Sequence, residues 1–239
     1  MDDCANKNLL NEYCVGNMPV LTLDILSIQR QRLRVQINNF DKLKVIIGAG
    51  STSYEGWIAT NYPVFDVRNE KHWEELFGDK LIDNILAEHV FEHLDYNDSL
   101  KAWKIAFDFL KFGGRMRIAV PDKNHPSLYV RDLIKPNGLE PGADDHKFFW
   151  GYIELIQALE RIGYRVDILE CFDEKGLYHS KSWYVDDGYV QRSKRYYKGR
   201  FTDSKEEFNK MISSVPEHLR KQFTDLNISY TSLIVDAIK

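Results

Sequence analysis

Leu43-Lys44-Val45-Ile46-Ile47-Gly48-Ala49-Gly50 is a short apolar run that stops at two glycines one residue apart. A run of this length bounded by turn residues has the dimensions of a buried strand, not of a helix. Gly-x-Gly after such a strand serves chemistry only at the carboxyl edge of a sheet, where missing side chains let a ligand approach backbone N–H groups. The same tripeptide also makes a plain tight turn, so the rest of the chain has to decide its meaning.

Working outward, Leu81 to Ala87 (LIDNILA) is a second apolar run, entered from Gly78-Asp79. Asn97-Asp98-Ser99 offers a cap for a helix carrying Leu100, Trp103, Ile105, Ala106, Phe109 and Leu110, which Gly113-Gly114 would end. Arg115 to Val120 follows as a strand stopped at Pro121. Asp144-Asp145 is then expected to open a helix bearing Phe148, Phe149, Tyr152, Ile153, Leu155, Ile156 and Leu159, closed by Gly163, before a strand from Tyr164 to Leu169. A polar stretch contains one helical segment near Glu206 to Ile212, and the chain finishes on the apolar run Ser232 to Ile238. Strands alternating with amphipathic helices predict one α/β domain: a Rossmann-like, twisted, mostly parallel sheet with helices on both faces. In this reading residues 41–239 form the domain and residues 1–40 an extension packed on it. Residues 172–228 are an insertion, and the terminal run is an edge or penultimate strand. The alternation of Arg30, Arg32 and Arg34 with Gln31, Leu33 and Val35 reads as a strand with one polar face.

The 239 residues are 44% hydrophobic and 28% charged, which excludes a disordered or collagen-like chain. Thirty-two Lys and Arg against 36 Asp and Glu give a net charge of −4, too mild for a dedicated polyanion binder, so nucleic acid is not the expected partner. Cys4, Cys14 and Cys171 are scattered, without a C-x-x-C pair, which points away from a disulfide framework and towards reduced thiols. MDDCANKNLL lacks the basic and apolar regions of a secretory leader, and no run reaches the roughly 18 apolar residues of a membrane span. A cytoplasmic location and no membrane partner are expected.

The glycine loop is followed in order by Gly56-Trp57-Ile58, by Phe65-Asp66-Val67, by Glu88-His89-Val90-Phe91-Glu92-His93-Leu94, and by Leu110-Lys111-Phe112-Gly113-Gly114-Arg115-Met116-Arg117-Ile118-Ala119-Val120-Pro121-Asp122. Over residues 41–170 this ordered set resembles class I S-adenosylmethionine-dependent methyltransferases, in particular a branch with "EHVxEHL" and "GGRxRIxVPD" motifs. The resemblance implies S-adenosylmethionine as cofactor and methyl transfer to an oxygen or nitrogen of a small acceptor, sugar-like or phosphorylated. It also assigns positions. Gly48, Ala49 and Gly50 would hold the methionine end of the cofactor, and Asn61 the ribose hydroxyls. Asp66 with the Val67 amide would meet adenine, and Glu88 and His89 would sit beside the sulfonium. The family commonly has Asp or Glu where this chain has Asn61, which still hydrogen-bonds but without a carboxylate's charge. The link from Gly50 to Trp57 is short for a parallel crossover. Either the first helix has shrunk to a turn, or the second strand is Val64-Phe65-Asp66 and Asp66 itself takes the ribose.

Other residues carry competing readings. His89-Val90-Phe91-Glu92-His93 matches H-x-x-E-H, in which two histidines on one helix face bind zinc. Its place directly after a strand argues instead for a turn in which Glu92 and His93 hydrogen-bond locally, so no metal is expected. Asp122, His125 and His146 follow the Arg115 to Val120 strand and face the glycine-loop rim, where one of them could take a proton from the acceptor. The alternative is that Asp122 and His125 only shape the turn from Pro121 to Pro126. Gln191 to Arg200 combines cations with tyrosines and suits either an anionic substrate or a solvated face. Two further functions remain open beside the enzyme: a non-catalytic scaffold on the same fold, and a zinc hydrolase using H-x-x-E-H.

Overall fold

The computed structural model describes residues 20–194, 204–228 and 231–239, with side chains from residue 25 onward. In chain order the elements are α1 (Val20–Asn38), β1 (Lys44–Ile47), β2 (Ile58–Thr60), α2 (Glu70–Phe77), β3 (Ile82–Glu88), α3 (Tyr96–Phe109), β4 (Leu110–Pro121), α4 (Leu128–Ile134), α5 (Tyr152–Ile162), β5 (Arg165–Phe172), β6 (Tyr178–Ser180), α6 (Lys205–Ser213), α7 (Glu217–Asp225) and β7 (Ser232–Ile238). They build one seven-stranded sheet in the order β2-β1-β3-β4-β7-β5-β6. β1 pairs in parallel with β2 and β3, and β3 with β4. β7 runs antiparallel to β4 and β5, and β6 antiparallel to β5, so β1 to β5 share one direction. This is the mostly parallel Rossmann-like α/β sheet expected from the sequence.

β7 is neither an edge nor a penultimate strand. It lies inside the sheet between β4 and β5, and all seven of its residues are buried. An apolar run reports burial and not lateral position, which is why the sequence placed it wrongly. The expected insertion also contributes to the sheet, as the edge strand β6.

Alternation along the strands separates two faces. Val45, Ile47, Ile85, Ala87, Met116, Ile118, Leu233 and Val235 point to the face covered by α1, α2, α3 and α5, through Ile37, Trp73, Trp103 and Leu155. Ile46, Leu86, Ala119 and Ile234 point to the other face, where they meet Trp183 and Val190. That second face, expected to carry helices, is covered by an irregular segment. The reason is local: β1 and β2 are joined through residues 48–57 without a helix, and Val45 pairs with Ile58. The first helix has indeed shrunk to a turn, and Val64-Phe65-Asp66 is not a strand. A third cluster packs α4, α6 and α7 around Phe172 at the end of β5.

The covering segment is anchored by a buried ion pair. Arg117 on β4 faces its register partner Asp236 on β7, donating from Nε at 2.7 Å and from Nη2 at 2.8 Å. Its Nη1 donates to the carbonyls of Tyr184 and Gly188. One guanidinium thus joins two strands to the loop above them, and the Trp183 ring lies 5.8 Å from its centre.

Several element boundaries differ from expectation. Arg30 to Val35 is helical, because Leu26, Arg30, Leu33 and Ile37 point inward with a helical period that a six-residue window could not display. The cap of α3 is Asp95, whose side chain accepts the Asp98 N–H, and not Asn97 to Ser99. Asp144 and Asp145 sit in a separate 3-10 turn, Ala143–Asp145, while α5 starts after Gly151, whose N–H is met by the Glu154 carboxylate at 3.3 Å. Cys171 is a free, buried thiol pushed up to about 12 by burial, whereas Cys4 and Cys14 lie outside the described residues. No helix among the described residues is long and apolar enough to cross a membrane.

Candidate functional site

β1 and β3 end side by side, and the loops that follow them enclose a cleft of about 490 Å³ at the carboxyl edge of the parallel strands. Gly48 has φ +60°, and a Cβ there would stand 2.6 Å from Val90 Cγ2, so the β3 turn packs directly on its backbone. Gly50 has φ +56°, and a Cβ there would meet no atom within 4 Å. The first glycine is required by packing; the second opens on the cleft. Ala49 between them is buried, and its N–H donates to Thr60 at the end of β2.

Asn61 lines the cleft, as the sequence suggested, but its amide is occupied. Oδ1 accepts the Gly50 N–H at 2.6 Å and Nδ2 donates to the Gly50 carbonyl at 3.1 Å. A carboxylate in this position could make only the first bond, so asparagine here is the residue that holds the loop at both of its polar groups. Asp66 and Val67 also line the cleft. The Asp66 carboxylate receives Arg68 Nε at 2.9 Å and Nη2 at 2.8 Å, and Arg68 continues to Asp98 at 3.1 Å. These bonds hold the Asp66 carboxyl below its ordinary range.

His89, at the end of β3, adopts φ +55°, a conformation uncommon outside glycine. Its Nδ1–H donates to Glu92 Oε1 at 2.7 Å, and its Nε2 meets Ser232 Oγ of β7 at 3.0 Å. The carboxylate can only accept, so Nδ1 carries a hydrogen. Burial opposes ionisation of Glu92, but the adjacent His89 overcomes it and holds the carboxyl below its usual range. His89 lines the cleft and also a neighbouring cavity of about 170 Å³ that reaches Glu88, Gln191 and Arg192. Glu88 Oε1 accepts the Arg192 N–H at 2.8 Å, so the covering segment is tied to this strand end. Of the basic stretch, residues 195–200 lie outside the described residues.

Two of the expected proton acceptors are withdrawn from the cleft. Asp122 is fully buried, with Oδ1 on the Asn124 N–H and Oδ2 on the Phe172 N–H, each at 2.8 Å. It fastens the turn after β4 to β5, and burial pushes its carboxyl up to about 7. His125 is also fully buried, with its ring centroid 4.7 Å from that of Phe172 and its Nδ1 accepting the Ser127 N–H. Burial, with Arg131 nearby, pulls it down to about 3, so it stays neutral. Both residues shape the turn. His146 does reach the site, in the wall of a third cavity of about 110 Å³ that it shares with His89, Glu92 and His93.

The H-x-x-E-H stretch does not form a zinc-binding helix. His89 closes a strand and Glu92 and His93 sit in a 3-10 turn, Phe91–His93, so the two histidines share no helix face. Glu92 bonds His89, while the His93 ring stands edge-on to His146, centroids 4.9 Å apart. The edge-on contact of His146 with His93 and the contact of Ser232 with His89 had no signal in the sequence, since each joins segments without a shared motif. The Arg68 clamp on Asp66 is local, two residues apart, and was missed.

No protein-family model matches the chain, and no curated protein matches it. Among solved structures it is similar to a SAM-dependent methyltransferase from Archaeoglobus fulgidus, with 17% identity, 90% of this chain and 94% of that chain covered, and a TM-score of 0.44. It is also similar to the YcgJ protein from Bacillus subtilis, with 14% identity, coverage of 87% and 97%, and a TM-score of 0.42. Magnesium protoporphyrin IX methyltransferase from Synechocystis with bound SAH gives 13% identity, coverage of 70% and 87%, and a TM-score of 0.37.

Proposed function

We propose that the chain is an S-adenosylmethionine-dependent methyltransferase of the class I type, acting on an oxygen or nitrogen of a small acceptor, sugar-like or phosphorylated. The observation that carries this reading is the cleft at the carboxyl edge of β1, β2 and β3, where Gly50 at positive φ leaves open space that any side chain would fill. Its volume of about 490 Å³ suits a nucleoside-sized ligand. Of the motifs of the resemblance, the glycine loop, Phe65-Asp66-Val67 and the stretch from His89 to Leu94 contribute to its lining.

When bound, the cofactor supplies a methyl group already activated on a sulfonium, so the protein has to bind, align and accept a proton. Gly50, with no protein atom within 4 Å of where a Cβ would stand, would leave room for the methionine end beside the Gly48 turn. Asn61 keeps that loop in shape and retains one amide hydrogen for the ribose. Asp66 Oδ2, which receives a single Arg68 bond, keeps acceptor capacity for ribose or adenine next to Val67. His89 replaces Asp122 and His125 as proton acceptor, because Glu92 holds its ring at Nδ1 and it lines both the cleft and the 170 Å³ cavity through which the acceptor would approach.

Isothermal titration with S-adenosylmethionine and with S-adenosylhomocysteine tests this. Micromolar binding of both supports the enzyme. Absence of binding by either sinks it and favours a non-catalytic scaffold.

A further inference from the structure

We propose that Glu92, His93 and His146 form a site for one divalent transition-metal ion beside the cleft. Each offers a ligand atom, and these atoms all lie within 4.8 Å of one another. They come from two separate segments that the backbone holds together: the Glu92 carbonyl accepts the Lys147 N–H at 2.7 Å and the Phe148 N–H at 3.1 Å. The cluster is therefore a product of the fold and not of the H-x-x-E-H spacing, in which His89 and not His146 would be the second imidazole.

One atom of the cluster has no other explanation: Glu92 is 1% exposed, yet its Oε2 makes no hydrogen bond. Nδ1 of His93 also makes no hydrogen bond and has an ion-pair partner in Asp145. A buried carboxylate oxygen without a donor is costly, and a cation removes that cost. Asp145 Oδ2 stands 3.4 Å from His93 Nδ1 and is a further oxygen within reach.

The surrounding hydrogen bonds are those a metal centre needs. His146 Nδ1–H donates to the Ile134 carbonyl at 2.8 Å, which turns the lone pair of Nε2 towards the cluster. His89 holds Glu92 by Oε1 and leaves Oε2 free. Two imidazoles and one carboxylate suit Zn²⁺, Fe²⁺ or Co²⁺ better than Mg²⁺ or Ca²⁺, which favour all-oxygen shells. Bonds of about 2.1 Å place tetrahedral ligands roughly 3.4 Å apart, so the side chains close by about an ångström on the ion. Three protein ligands leave a fourth position open for water or an acceptor oxygen. That last role rests on the methyl-transfer reading; the ion site does not.

The test uses the full chain, stripped by chelator and titrated with Zn²⁺ and separately with Co²⁺, without S-adenosylmethionine. One equivalent should bind at micromolar affinity or tighter, with Co²⁺ developing a visible ligand-field spectrum. His146→Ala and Glu92→Gln should each weaken binding at least about tenfold. His179→Ala, which removes an exposed imidazole paired with Asp173, should leave it unchanged. Because Glu92 is buried and its variant can lose the fold, half-buried His146, with folding verified by circular dichroism, carries the decision. Unaltered binding in His146→Ala, or no binding by the wild-type chain, overturns the site. Failure of the methyl-transfer reading would appear only in the separate cofactor titration.

Discussion

Asn61 spends both functional groups of its amide on one residue, Gly50, accepting its N–H at 2.6 Å and donating to its carbonyl at 3.1 Å. The loop that lines the cleft is thus shaped by the side chain that closes the neighbouring strand. Asn61→Ala removes both bonds and should lower stability by about 1 kcal/mol, the loop being solvent-exposed. S-Adenosylmethionine affinity should fall at least about tenfold, because the loop is no longer preorganised. Asn61→Asp, which keeps the acceptor and loses the donor, should fall between. Calorimetric titration that finds all three proteins equal would remove Asn61 from the site.

The two glycines should separate stability from binding. Gly48→Val drives its Cβ to 2.6 Å from Val90 and should depress the melting temperature strongly. Gly50→Val meets no protein atom, so it carries only the strain of its positive φ, about 1–2 kcal/mol. It should keep its far-UV circular dichroism and lose cofactor binding. A Gly50→Val protein that binds as well as the wild type would move the ligand out of this cleft.

Asp122 gives stability a pH dependence. Its folded-state pKa, about 7, is above the ordinary 3.8, so the folded chain holds the proton more tightly than the unfolded chain. The contribution is full below about pH 4 and is lost as pH rises through 7. Asp122→Asn does not titrate, so the stability of the wild type relative to this variant should decline by about 2 kcal/mol from pH 5 to pH 7. Urea denaturation of both proteins across that range measures the difference. A flat difference would mean that the two backbone N–H donors keep Asp122 ionised.

Asp236→Ala leaves the Arg117 guanidinium buried without its counter-charge and should cost about 3–5 kcal/mol. Since Arg117 also carries the carbonyls of Tyr184 and Gly188, the covering segment should loosen with it. Amide exchange at residues 183–190 should rise in this variant more than exchange in α3. Uniform exchange across the chain would indicate that the pair stabilises only the two strands.

The sequence by itself determined the strands that carry the glycine loop and its neighbours, because apolar runs such as Leu43 to Ile47 and Leu81 to Ala87 report burial directly and glycines report where the backbone must turn. The resemblance carried by its motifs implied Gly48, Gly50, Asn61, Asp66 and His89 for one site, and all five line the same cleft. Lateral order in the sheet is a matter of long-range pairing, so only the tertiary structure decided that β7 lies between β4 and β5 and that residues 183–190 replace a helix over the second face. For the same reason it alone assigned Asp122 and His125 to the interior and set His146 against Glu92 and His93. Burial and polar partnership are properties of the assembled chain, and a local window contains the residue but not its neighbours.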